Sequence, residues 1–412
     1  MTQIADLTRE LVSIPSHETE REAGAAIHDW LAAETDAAVT TDDHGNVIAR
    51  KSPDPDRDAT LADDAVRTPG HDRPSLALVG HHDVVPPDDS QWAGDRFAVE
   101  RRGDRLHGRG TADMKGAVAA GMLAFRDADR ATLAAADLDL LFVSYVGEEQ
   151  GGVGCRAAID DGFVPDYAVV GEGSTGYSAP GVTDVAVAHK GRRAVTVHAA
   201  GEAAHASEPE RGVNAVYRAC DAVETLRALD PPSGIVFGEP VEGSLVVTGI
   251  DGGDAWNVVP EACEVTVDER TVPGDRADLD RVTGPGVTTT VDQDLPPMAC
   301  DDRAFADAVL AAARAAHAPA DATDTAADHA TDGDAADPTT GRTTDGDPPT
   351  PQHVVKPHAT DAGWLAAAGT TTVVCGPAEP GEAHTDSESV SVPVLERCVR
   401  IYRGVLDHAP FT

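Results

Sequence analysis

Residues 76–83 read LALVGHHD, a compact apolar run that breaks into two imidazoles and a carboxylate. Five apolar or small residues in a row, too few for a helix of ordinary length, suit a buried strand. The same texture returns at Leu138–Val146, followed by Gly147-Glu148-Glu149, and at Tyr167–Val170, followed by Gly171-Glu172. Between them, KGAVAAGMLAF (115–125) reads as a small-residue helix able to lie close on a sheet. Strands alternating with helices predict an α/β domain with a mainly parallel sheet. In such sheets the binding crevice lies beyond the carboxyl ends of the strands, and that is where the His, Asp and Glu residues fall.

Outward from this core, residues 4–31 carry apolar positions at helical spacing with a break near Pro15, so two helices are expected, then a short strand at 46–49. Residues 52–74 are Asp- and Pro-rich and predict a surface insertion. From about residue 191 the pattern changes to alternation at 195–199, 243–249 and 263–269, with a helical stretch at 214–229. That predicts an inserted α+β domain with an antiparallel sheet over 191–297. The first domain then takes 1–190 and 298–412, interrupted by a low-complexity acidic stretch at 317–352 expected to be disordered. The last α/β elements are a strand at 370–375 and a helix at 392–406.

The 412 residues include 32 Lys and Arg against 71 Asp and Glu, a net charge of −39, with 41% apolar residues. The core is adequate and the surface strongly acidic, which argues against nucleic acid as a partner. Only four of the 32 cations are lysines (Lys51, Lys115, Lys190 and Lys356), a balance expected of a protein from a salt-loving organism. Six scattered cysteines without a CxxC pair suit a reducing cytoplasm. No signal peptide or membrane-length apolar run is visible, so a cytoplasmic location without membrane attachment is expected.

Converging carboxylates repel one another unless a cation joins them, so the groups at the strand ends call for metal. His81 and Asp83 are two apart and point the same way, one able to bind a metal while the other orients it; His82 points away. Asp113 lies in the Gly-rich turn GRGTADMKG (108–116). Of the adjacent Glu148 and Glu149, only one can face a metal directly, which leaves the other free to hold a water's proton.

The ordered series GHHDVVP (80–86), GRGTADMKG (108–116), YVGEEQGG (145–152), VVGEGS (169–174) and GEAHTDSESVSV (381–392) resembles the M20 family of metallopeptidases and amidohydrolases. That family includes succinyl-diaminopimelate desuccinylase, acetylornithine deacetylase, aminoacylase and carboxypeptidases. The resemblance implies two zinc ions, one on His81 and Glu172, the other on Glu149 and His384, with Asp113 bridging. It implies that Asp83 orients His81, that Glu148 is the general base, and that the Asp113–Met114 peptide is cis. Imidazole and carboxylate ligands suit zinc, and cobalt or manganese fit the same ligand types.

KGRRAVTVHAAGEAAHASEPERGVNAV (190–216) resembles the family's lid, whose histidine, here His205, reaches across a homodimer to the scissile carbonyl oxygen. WNVVPEACEVTVDERTVPG (256–274) matches the segment that contacts substrate through Asn257 and Arg270, and Arg192 matches the lid entry of the desuccinylase. The implied reaction is removal of an N-acyl group from an amino acid. The first expected substrate is N-succinyl-diaminopimelate, in lysine biosynthesis, with N-acetylornithine, in arginine biosynthesis, close behind. A dipeptidase or carboxypeptidase with the same centre is the rival enzyme, and a non-catalytic amino-acid binder the remote one. The chain departs from the desuccinylase pattern in GEGS for GEPS and in HTDSE for HKxxE, which bears on acyl specificity.

Overall fold

The computed structural model describes residues 2–58, 73–318 and 349–408. Its framework is a nine-stranded mixed sheet. Four strands run parallel at the centre: Asp139–Tyr145, Ser75–His81, Tyr167–Val170 and Thr371–Val374. Val47–Lys51 and Ala38–Thr41 extend one flank antiparallel. On the other flank, Val185–His189 runs antiparallel to Thr371–Val374 and pairs in parallel with His353–Lys356 and antiparallel with Met298–Ala299. Parallel pairing therefore defines the centre, and antiparallel pairing closes both flanks.

The alternation of the strand Ser75–His81 divides the core. Leu76 and Leu78 face one apolar cluster, packed by the helices Gln3–Ser13, Gly116–Asp127 and Val392–His408. Ala77 and Val79 face a second cluster, under the helices Val153–Asp160 and Asp361–Ala367. A strand buried on both faces is the reason its run is continuously apolar. The small-residue helix packs as expected: a Cβ at Gly121 would stand 3.2 Å from the Phe142 ring, so helix and sheet are already in contact there.

A separate four-stranded antiparallel sheet draws its strands from Ser244–Gly252, Ala262–Arg270, Arg192–Ala200 and Val287–Leu295, in that order. The helix Ala215–Arg227, capped by the Asn214 side chain accepting from the Val216 and Tyr217 amides, covers one face through Ala215, Ala219, Ala222 and Leu226.

Two boundaries differ from the sequence reading. The acidic stretch read as 317–352 begins later, because the helix Arg303–His317 runs through His317, and residues 319–348 lie outside the described residues. The stretch read as surface at 52–74 starts inside the fold. The buried Asp58 carboxylate accepts from the Ser52 amide at 2.8 Å and pairs with Arg130 at 2.8 Å, while residues 59–72 lie outside the described residues.

Three of the four rare lysines are not surface residues. Lys51, Lys115 and Lys356 are buried, and Lys51 donates to the carbonyls of Phe125, Arg126 and Ala128 at the end of a helix. All six cysteines are free thiols and only Cys220 is exposed. No described helix is long and apolar enough to cross a membrane.

Candidate metal centre

The carboxyl ends of the parallel strands deliver the predicted groups to one place. His81 ends its strand, and its Nε2 lies 3.0 Å from Asp113 Oδ1 and 3.4 Å from Glu172 Oε1. Its Nδ1 faces Asp83, 3.3 Å from Oδ1 and 3.1 Å from the carbonyl oxygen. Asp83 Oδ2 also accepts from the Glu149 amide at 3.0 Å, so it fixes two neighbours at once. His82 turns the other way, buried against Ser144 Oγ at 2.9 Å, and burial pushes its pKa down to about 3.

Asp113 lies in a one-turn segment, Thr111–Lys115, and its peptide bond to Met114 is cis. Its second oxygen, Oδ2, is 3.0 Å from His384 Nε2, which also donates to Glu149 Oε1 at 3.0 Å. One carboxylate thus touches both histidines. Two groups of potential ligand atoms result, His81, Glu148 and Glu172 in one, Asp113, Glu149 and His384 in the other, with atoms in each group within 4.8 Å of one another.

Two close approaches of backbone make this convergence feasible. A Cβ at Gly376 would meet the Gly171 carbonyl at 1.9 Å, so only glycine lets the chain after Thr371–Val374 pass the Glu172 turn. Gly152 has φ +76°, and a Cβ there would stand 2.6 Å from the Trp364 indole nitrogen. The turn carrying Glu148 and Glu149 therefore rests directly on the helix Asp361–Ala367.

The electrostatics are those of buried anions and imidazoles crowded together. Burial opposes the charge on His81, yet Asp83, Asp113 and Glu172 hold its pKa well above the ordinary value. Hydrogen bonds to Asp113 and Glu149 raise His384 to about 10. Burial likewise opposes the charge on Asp113, but His384 and His81 hold its pKa well below the carboxylate range. Burial pushes Glu148 well above that range and raises Glu149 as well. Carboxylates crowded in this way call for a positive charge among them, which a divalent cation would supply. The donor set of imidazole and carboxylate, with no thiolate, fits zinc, cobalt or manganese.

A cavity opens beside the cluster, lined by Asp113, Glu148, Glu149, Glu172 and His384 together with Arg192, Arg270, Gln293, Tyr177, Lys356 and His358. Arg192 and Arg270 share one carboxylate: their Nε atoms are each 2.8 Å from an oxygen of Asp268. Arg270 is thus both an ion-pair partner and a cavity residue. Of the remaining sequence candidates, His205 and Asn257 do not line this cavity. They neighbour each other on a two-stranded ribbon where the Ala206 amide donates to the Asn257 carbonyl at 2.9 Å, and the exposed His205 ring contacts Ser207 Oγ at 2.7 Å.

Two residues that support the site had escaped notice. Glu388, buried, accepts from the amides of Gly110, Ala112 and Asp113 at 2.9 to 3.1 Å and from Arg109 at 2.5 Å, tying the segment of His384 to the loop of Asp113. Lys356 donates to Glu172 Oε2 at 3.1 Å. Its rarity in an arginine-rich chain was the signal available; Glu388 stood inside a quoted motif with nothing to mark its partners.

Residues 77–336 match the model of peptidase family M20/M25/M40. The chain belongs to that family. Among curated M20 relatives, the acetylornithine deacetylase of Klebsiella pneumoniae is 34% identical over 211 residues, 50% of this chain and 52% of that protein. A Salmonella paratyphi B protein of the same name is 34% identical over 213 residues. The chain spans about half the length of the curated relatives it matches. Among solved structures, the aminopeptidase PepT of Bacillus cereus superposes with TM-score 0.70 at 18% identity, over 98% of each chain. The Bacillus subtilis YXEP protein, described as a dinuclear metal binding peptidase, gives 0.62 at 13% identity over 98% of this chain and 96% of that one. These structures share the M20 fold, with its mainly parallel sheet and separate antiparallel one.

Proposed function

We propose that this M20 member is a metal-dependent hydrolase that removes an N-acyl group from an amino-acid substrate. The observation that carries this reading is the position of Asp113, whose two oxygens face His81 and His384, with Glu148 beside them and a cavity in front. In this reading His81 and Glu172 hold one zinc, Glu149 and His384 the other, and Asp113 joins them, with Asp83 orienting His81. When bound, such a metal pair supplies Lewis acidity, lowering a water's pKa and polarising the amide carbonyl.

The chain's own residues do the rest. Glu148 removes a proton from the attacking water and returns it to the leaving amine, a role suited to a carboxylate beside the ligand cluster that faces the cavity. Arg270 and Arg192, which share the single charge of Asp268, leave a net cation for a substrate carboxylate. His205 stabilises the carbonyl oxygen and Asn257 adds a contact, both supplied by the lid, 191–297, of the other copy in a homodimer. That arrangement accounts for their distance from the cavity of their own chain.

Two substrates have separate support. The names of the curated relatives favour N-acetylornithine. The paired arginines suit a substrate carboxylate, which N-succinyl-diaminopimelate offers on its acyl group as well as on its amino-acid part. A panel of both compounds with free dipeptides, assayed with zinc in concentrated salt, decides among them. Hydrolysis confined to acyl-amino acids supports the deacylase, and hydrolysis confined to dipeptides refutes it in favour of a peptidase. Zinc uptake without turnover of any compound would leave a ligand-binding protein.

A further inference from the structure

Lys356 stands where the cavity meets the ligand cluster. It ends the strand His353–Lys356, is 6% exposed, and donates to Glu172 Oε2 at 3.1 Å and to the Gly173 carbonyl at 3.0 Å. The other oxygen of the same carboxylate, Oε1, faces His81 Nε2 at 3.4 Å. Glu172 is therefore shared lengthwise, one oxygen toward the ligand cluster and one toward an ammonium. Its partner position is unlike it: among the described residues no lysine or arginine pairs with Asp113 or Glu149.

A carboxylate can ligate a cation through one oxygen or through both. An ammonium held on the outer oxygen removes the second mode, draws charge from the first, and repels a dication across the carboxylate. Because both partners are buried, salt screens this pair far less than it screens the surface. We propose that Lys356 confines Glu172 to one-oxygen ligation and keeps the metal affinity of the His81–Glu172 position below what its ligands alone would give. The inference rests on the metal-centre reading above. It makes Lys356 a positioning residue that tunes how readily one of two ions is taken up.

The test is calorimetric titration of the metal-stripped full chain with zinc in concentrated salt, for the wild type, Glu172→Gln, Lys356→Met, Lys356→Gln and Lys356→Arg. Glu172→Gln should weaken one of two binding events and so identify it. Lys356→Met should tighten that same event about tenfold, in the range by which groups outside the ligand set alter metal affinity, and leave the other unchanged. Lys356→Arg should stay near wild type. Lys356→Gln removes the charge while keeping a donor for the Gly173 carbonyl, and carries the same expectation if the Met variant does not fold. An unchanged or weakened event in a folded neutral variant overturns the inference and leaves the metal centre standing. A wild type that takes up no zinc overturns both.

Discussion

The two halves of the ligand cluster share Asp113 and differ in almost everything else. His81 is 1% exposed at the end of a central strand, backed by Asp83, and its companion Glu172 is backed by Lys356. His384 is 51% exposed, sits in a left-handed turn at φ +63°, and reaches the site only through Asp113 and Glu149. One half is set by strand ends of the sheet. The other joins Glu149, which follows the strand Asp139–Tyr145, to His384 on a segment that the hydrogen bonds of Glu388 tie to the loop of Asp113. A strand end holds its side chain through the backbone ladder, whereas His384 is held through side-chain hydrogen bonds.

The largest expected effect tests neither half but the group between them. Glu148→Gln should lower turnover about 10³-fold or more while both metals are retained, as measured by kinetics and metal analysis on one preparation. Near-normal turnover would remove Glu148 from its role. The halves separate in the histidine variants. His81→Ala and His384→Ala should each lose one metal, but His81→Ala should destabilise the metal-free fold more, by about 1–3 kcal/mol, since it strands carboxylates around a fully buried ring. Equal losses in denaturant melts would erase the distinction drawn here. Asp83→Asn should weaken metal binding about 10–100-fold at the His81 position alone, read by titration calorimetry. Arg270→Ala should raise KM for an acidic substrate about tenfold with little change in kcat, consistent with a charge-assisted contact worth about 1.5–3 kcal/mol.

The smallest effect is in pH. His384 is held up to about 10 by Asp113 and Glu149, against an ordinary value of 6.5, so the folded metal-free chain binds this proton more tightly than the unfolded one. Its contribution to metal-free stability is complete below about pH 6.5 and is lost as pH rises through about 10. Zinc requires the neutral ring, so zinc uptake should strengthen over the same interval. Thermal melts of metal-free protein across that window check the sign, and the slope should shrink in His384→Ala, the remainder coming from His81.

The residues at strand ends were the legible ones, and they come from both halves. His81, Glu149 and Glu172 follow compact apolar runs whose strands fell within a residue or two of their expected ends, because a strand buried on both faces leaves an unbroken apolar signal. Lys356 was illegible for the opposite reason. Its strand has four residues, begins just after the acidic stretch, and is half polar, so periodicity had nothing to grip. Glu388 was visible as a residue but not as a partner, since it joins segments about 280 positions apart and no local pattern encodes that. Arg192 and Arg270 were read as substrate contacts, and the structure shows each lining the cavity while paired with Asp268. His205 and Asn257, expected beside the substrate, stand together away from the cavity of their own chain.

The placement of the lysines has a practical corollary. With three of four primary amines of the side chains enclosed, amine-directed chemistry would find only Lys190 partly open to it. Coupling through esters, aldehyde cross-linking and enzymatic acylation would therefore leave the folded chain nearly untouched, and the onset of labelling at Lys51, Lys115 and Lys356 would report its opening.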